Sequence, residues 1–135
     1  MREALASAAE TAVRDCLGLR ADETCLVLSD EGRESIGRAL WEAARLTARE
    51  AFFVLMRERS RPGEEPPDGI AALMRTVDVV VAPTTMSLTH TNARRAACAA
   101  GARVATLPGI TDTTMVRCLN ADVRAIAART ELVAA

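Results

Sequence analysis

Four short apolar runs, spaced so that a helical pattern fits between successive ones, constrain this chain more than any other feature. They are Thr24-Cys25-Leu26-Val27-Leu28, Ala51-Phe52-Phe53-Val54-Leu55-Met56, Asp78 to Ala82, and Arg103-Val104-Ala105-Thr106-Leu107. The first three are too short for a helix and too continuously apolar for a strand with one wet face, which is the signature of a strand covered on both sides, and the last reads as a fourth strand. The intervening segments carry apolar residues at three- and four-residue steps. Leu5, Ala8, Ala9, Ala12, Val13 and Cys16 predict a helix over 2–18 that Gly18 stops, and Ile36, Leu40, Ala43, Ala44 and Thr47 predict a second over 33–48. Ile70, Leu73 and Met74 mark a short third helix, with Pro66 or Pro67 in its first turn. A fourth runs from Thr91 to Ala100, its inward face being Ala93, Ala96, Ala97 and Ala100, and Gly101 caps it. Thr111 or Asp112 then caps a helix through Met115, Val116 and Leu119, and Asp122 caps a last one through Val123, Ile126 and Ala127. Strand, helix, strand in this order predicts right-handed βαβ units. The expectation is a three-layer α/β domain, Rossmann-like or flavodoxin-like, with a mostly parallel sheet of about four strands and helices on both faces. At 135 residues the whole chain, 1–135, fits one such domain.

In sheets of this kind, ligands sit beyond the carboxyl ends of the strands. The stretch Val77–Arg95 is therefore the first place to look for a site. Its strand stops at Pro83 and opens into Thr84, Thr85, Ser87, Thr89 and Thr91 around the only histidine, His90, just where a helix begins. Thr84, Ser87, Thr89, His90 and Arg94 are the candidate substrate-binding residues. His90 is the candidate catalytic group, since imidazole titrates near neutrality. Asp30 and Glu31, in the loop Ser29-Asp30-Glu31-Gly32, form a weaker second candidate site of solvated acids. The segment Arg57 to Gly69, rich in proline, glycine and charge, reads as a solvated loop.

Much chemistry is excluded. The turn SDEGRESIG lacks the glycine spacing of a dinucleotide site, and its acids would repel a pyrophosphate. All 17 basic residues are arginine, so neither a P-loop nor a Schiff-base lysine exists. A net charge of -1 and 2% aromatic residues, with no tyrosine, argue against a nucleic-acid partner. Cys16, Cys25, Cys98 and Cys118 form no C-x-x-C pair and read as buried free thiols of a reducing compartment, which points to the cytoplasm. With one histidine, no metal site is expected from this chain, and nothing in it suggests a signal peptide or membrane span.

The blocks SDEGRESIGRALWEAAR, PGEEPPDGIAALM, DVVVAPTTMSLTHTNARRAACAAGARVATLPGIT and RCLNADVRAIAART, taken in order, resemble the amino-terminal domain of the thermophilic-type metallo-aminopeptidases, the leucyl aminopeptidase and aminopeptidase T group. Dihydroxypyridine dioxygenases resemble the same family. SLTHTNAR and LPGIT carry the resemblance most specifically. It implies a hydrolase whose divalent metal is held by a carboxyl-terminal domain in the same polypeptide. The present domain would then bind no cofactor and be inactive alone, contributing one wall of the cleft with His90 on it. The alternative is a stand-alone binding module that kept the fold and lost the chemistry, its exposed apolar face covered in a homodimer.

Overall fold

A computed structural model of the chain describes residues 2–119. The order is α1 (Arg2–Thr11), β1 (Thr24–Asp30), α2 (Glu34–Thr47), β2 (Glu50–Met56), α3 (Asp68–Met74), β3 (Val79–Ala82), α4 (Asn92–Ala99), β4 (Arg103–Thr106) and α5 (Asp112–Leu119). The four strands form one all-parallel sheet in the order β2-β1-β3-β4. Side chains alternate across it. Cys25, Val27, Val79 and Val81 face a cluster with Leu5, Ala9, Val13, Ile36, Leu40 and Met115, whereas Leu26, Leu28, Val80 and Ala82 face one with Met74, Leu88, Ala93 and Ala97. So α1, α2 and α5 cover one face and α3 and α4 the other, as a three-layer Rossmann-like fold requires. Among the described residues no helix is long and apolar enough to cross a membrane.

Several local expectations need adjusting. The first helix widens into a π-helical turn over Ala12–Cys16, where the Leu17 N–H reaches back to the Ala12 carbonyl, and Gly18 leaves it at φ 61°. β1 runs to Asp30, two residues past its apolar run. β2 is not buried on both sides: with a single neighbour it is an edge strand, and Phe52 and Leu55 are half exposed. On α4 only Ala93 and Ala97 are buried, and Ala100 faces solvent. Of the thiols, Cys25 is buried and burial pushes it up to about 12, so it stays protonated; Cys16 and Cys98 are free and exposed. The helix expected after Asp122 and the side chain of Cys118 lie outside the described residues.

Gly37 lets α2 lie against β1. A Cβ there would stand 2.6 Å from the Ser29 Cβ and 2.9 Å from the Phe53 ring. The amino-terminal end of the sheet is held by polar groups instead. Arg103, opening β4, gives both terminal nitrogens to the buried Glu23 carboxylate, at 2.7 and 2.9 Å, and its Nη2 also reaches the Leu17 carbonyl. The Arg20 N–H adds a third bond to Glu23, at 3.0 Å. Asp78 accepts from the Thr24 N–H at 2.9 Å, tying the start of β3 to β1.

The Arg103 guanidinium bonded to Glu23 holds that carboxyl at about 2, against an ordinary 4.5. A depressed folded-state pKa contributes stability that is complete above the unfolded value and is lost as pH falls towards the folded one. Glu23→Gln is therefore expected to lower stability at neutral pH by about 1–3 kcal/mol, the range for a hydrogen bond to a charged group. The gap from the parent protein should close as pH falls from 4.5 towards about 2. Urea denaturation across that pH range checks this, and a gap that persists at the acid end would count against it.

Candidate functional site

From β1 the chain moves outward to β2, then returns past β1 to β3 and on to β4. The helix leaving β1 packs on one face and the helix leaving β3 on the other, which makes the carboxyl ends of β1 and β3 the switch point of the sheet, where folds of this kind place a ligand crevice. The residue at the end of β1 is Asp30. It is 1% exposed, and its carboxylate accepts the Thr85 N–H at 2.6 Å and the Thr85 hydroxyl at 3.2 Å. Pairing Asp30 with Met56 puts the end of β2 alongside, and two residues later Glu58 comes within 3.3 Å of the same hydroxyl. Gly32 makes room for this meeting. A Cβ on it would run into the Glu58 carboxylate and stand 2.8 Å from the Thr85 Oγ1. Arg33, in the 3-10 turn Glu31–Arg33, keeps its Nε buried without a hydrogen-bond partner among the described residues.

The sequence-predicted residues divide. Thr84 is buried, and its hydroxyl bonds the Met86 carbonyl while its own carbonyl takes the Gly109 N–H, so it shapes the loop. Ser87 and Thr89 share a hydroxyl contact of 2.9 Å, and Thr89 reaches the Thr106 hydroxyl at the end of β4 at 2.8 Å. Thr91 is the cap of α4, accepting from the Arg94 N–H at 3.1 Å. Arg94 spends its Nε on the Thr89 carbonyl, 2.7 Å away. His90 is exposed, its carbonyl bonded by Arg95, with no side-chain hydrogen bond among the described residues. Asp30 belongs to the same place as the Thr84–Arg94 loop, so the two candidate sites are one, whereas Glu31 stays exposed in the turn.

Sequence reasoning missed Thr85 as the junction, and it missed Glu58 and Glu65. Residues 57–67 do not run free in solvent. The Gly63 N–H bonds the Ser87 carbonyl at 2.9 Å, and Glu65 accepts the N–H groups of Asn92 and Ala93 at 2.7 and 3.0 Å. A carboxylate thus already sits on the positive end of α4, where the helix dipole favours it. Within the segment, the Ser60 N–H donates to Glu64 and holds its carboxyl below the usual range. The available signal was position: a long connection leaving the carboxyl end of a strand is where site-covering loops occur.

No family model matches the sequence, and no curated protein matches it. Among solved structures, a 2,5-dihydroxypyridine dioxygenase from Pseudomonas putida KT2440 matches with a TM-score of 0.67 at 19% identity. The match covers 88% of this chain and 38% of that one, so the chain spans well under half the length of the enzyme it resembles. At this identity the likeness establishes the fold alone. It also corrects the resemblance to the metallo-aminopeptidases, which nothing in these comparisons supports, the structural match being a dioxygenase. The two segments that carried that resemblance most specifically, SLTHTNAR and LPGIT, are the loop entering α4 and the turn after β4, and any sheet of this topology calls for such connections.

Asp30→Ala should cost about 1–3 kcal/mol by leaving the Thr85 N–H without its acceptor. Glu65→Ala should cost about 0.5–2 kcal/mol, as for a lost helix cap. Amide exchange separates the two. The first variant should speed Thr85, and the second Asn92 and Ala93; protection unchanged at those positions would contradict the contacts described.

Proposed function

We propose that this chain is a non-catalytic domain of a larger enzyme and that it supplies one wall of a substrate cleft at the switch between β1 and β3. The supporting observation is the competition at Thr85. Its single hydroxyl proton can serve the Asp30 oxygen at 3.2 Å or the Glu58 oxygen at 3.3 Å, but not both at once. Asp30 is buried and takes donors on both oxygens, so the carboxylate left with acceptor capacity for a ligand is that of the exposed Glu58. A ligand carrying hydroxyl or protonated nitrogen donors satisfies it; an anion is repelled. His90, exposed at the rim, contacts or protonates the part of the ligand that leaves the crevice. Hydroxylated nitrogen heterocycles have the required donors, and the dioxygenase that shares the fold acts on one.

In this reading a divalent metal is held by residues outside the domain. Among the described residues no three His, Cys, Asp or Glu side chains converge on a point, so no step is assigned to an ion here. The free thiols of Cys16, Cys25 and Cys98 support a reducing, cytoplasmic setting. A second reading, a binding module that works by assembling with itself, is favoured by Leu46, which is 79% exposed on α2.

Titration with 2,5-dihydroxypyridine, followed by backbone amide NMR, tests the cleft wall. Shifts are expected at Thr85, at Glu31 to Arg33 and at His90, and Asp30→Asn should abolish them. His90→Ala should weaken binding by less than about tenfold, as a rim contact worth under 1.4 kcal/mol does. Shifts at the Glu23 end of the sheet instead, or none at millimolar ligand, would remove this reading.

A further inference from the structure

The α1–α2 surface lies on the opposite side of the molecule from α3 and α4, and Leu46 is its most exposed large apolar side chain, at 79%. On the same helix, Ser35, about 16 Å and three turns towards its amino end, and Ala39, about 10 Å and two turns away, border a cleft of about 350 Å³ between α2 and α1. Leu5 and Ala39 give that cleft its apolar lining, and Arg2, Arg38, Glu42 and Asp112 line the rest of it. Between knob and cleft the surface dips into an open groove of about 260 Å³, floored by the small side chains of Ala6, Ala39 and Ala43 and bordered by Glu10 and Glu42. One helix thus carries a projecting apolar group and a matching recess, displaced along a single stripe.

The charges beside that stripe alternate. Glu34, Arg38, Glu42 and Arg45 follow one another along α2 and pair within the chain as Arg38–Glu34 at 2.7 Å and Arg45–Glu42 at 3.3 Å. All four are well exposed, so these pairs contribute little, and the Arg38 and Arg45 guanidinium groups also lie over the Phe53 and Trp41 rings at 5.2 and 5.1 Å. Read backwards, the order becomes base, acid, base, acid. When a second copy of α2 is laid antiparallel with its Leu46 level with Ser35, Arg38 comes within about one residue rise, 1.5 Å, of the level of Glu42 in the copy. Arg45 then lies near Glu34 of the copy. Every charge meets its opposite, and the relation holds from both sides, as a two-fold interface requires.

We infer that the chain forms a symmetric homodimer through antiparallel α2 helices, with Leu46 of each copy seated in the α1–α2 cleft of the other. The inference is independent of the cleft-wall reading, since Asp30 and Thr85 take no part in it. Two short helices with alanine at the crossing bury an interface at the small end of the range, so the affinity is modest and the dimer forms with rising concentration.

Sedimentation equilibrium of the whole chain from micromolar to millimolar concentration reads this out. A monomer–dimer equilibrium is expected, and Leu46→Glu should raise its Kd at least about thirtyfold, as loss of a central buried anchor does. Circular dichroism and thermal melting of dilute Leu46→Glu should match the parent protein, because the side chain is exposed in the monomer. Arg38→Glu and Glu42→Arg should each weaken self-association by placing like charges opposite one another. An equimolar mixture of the two variants should dimerise more tightly than either alone, since the mixed pair restores every opposite-charge contact. A monomer at millimolar concentration overturns the proposal. So does a dimer that Leu46→Glu leaves intact, or a mixture no tighter than its components.

Discussion

The carboxylate of Asp30 joins the two central strands at the end where they diverge. β1 and β3 are neighbours along Cys25–Val27 and Val79–Val81, but beyond that the backbones separate towards helices on opposite faces. Past the last backbone pair, Asp30 bonds Thr85 directly and so fixes the loop that follows β3. The chain then builds outward from this contact. Thr84 closes on Gly109, Thr89 on Thr106, and residues 57–67 close over the top through Gly63 and Glu65. A buried carboxylate costs desolvation unless its oxygens find donors. Thr85 supplies both donors from one residue, which makes the loop conformation and the burial of Asp30 conditions for each other.

The two ends of the sheet solve the same electrostatic problem differently. At the amino-terminal end, Glu23 meets the Arg103 guanidinium head-on and the Arg20 N–H adds a third bond, so its carboxyl is pulled down to about 2. That end is closed and its charges are spent on each other. At the carboxyl-terminal end, Asp30 and Glu58 share a neutral hydroxyl, and no cation pairs with either among the described residues. The first arrangement stabilises and has nothing left to offer a ligand. The second leaves one of its carboxylates, that of Glu58, exposed to solvent.

The fold was legible in the sequence because burial on both faces leaves a sharp pattern. Val79-Val80-Val81 can only be a covered strand, and Gly18 and Gly101 mark helix ends at positive φ. β2 was misjudged for a reason of the same kind. Phe52 and Leu55 are as apolar as core residues, and a run of letters does not say whether a strand has one neighbour or two. The site was legible only in part. The hydroxyl cluster was located, but its members act mostly on one another: Thr84 on Met86, Ser87 on Thr89, Thr91 on the start of α4. The groups that give the crevice its character come from far along the chain. Asp30 lies 55 residues from Thr85 and Glu58 27 residues from it, and local pattern carries no information at that separation.

The composition of residues 57–67 misled for an instructive reason. Proline, glycine and charge do exclude a segment from the core, but they do not make it free. Two backbone donors at the start of α4, the N–H groups of Asn92 and Ala93, and the Ser87 carbonyl would be expensive to leave unmatched, and Glu65 and the Gly63 N–H of this segment match them. Its glutamates therefore act as internal anions, and Glu65 occupies the position at a helix start where a phosphate would otherwise be favoured. With Glu65 on the positive end of α4, Asp30 buried against Thr85 and Glu58 exposed beside them, this end of the sheet presents carboxylates where a nucleotide-binding sheet presents free N–H donors.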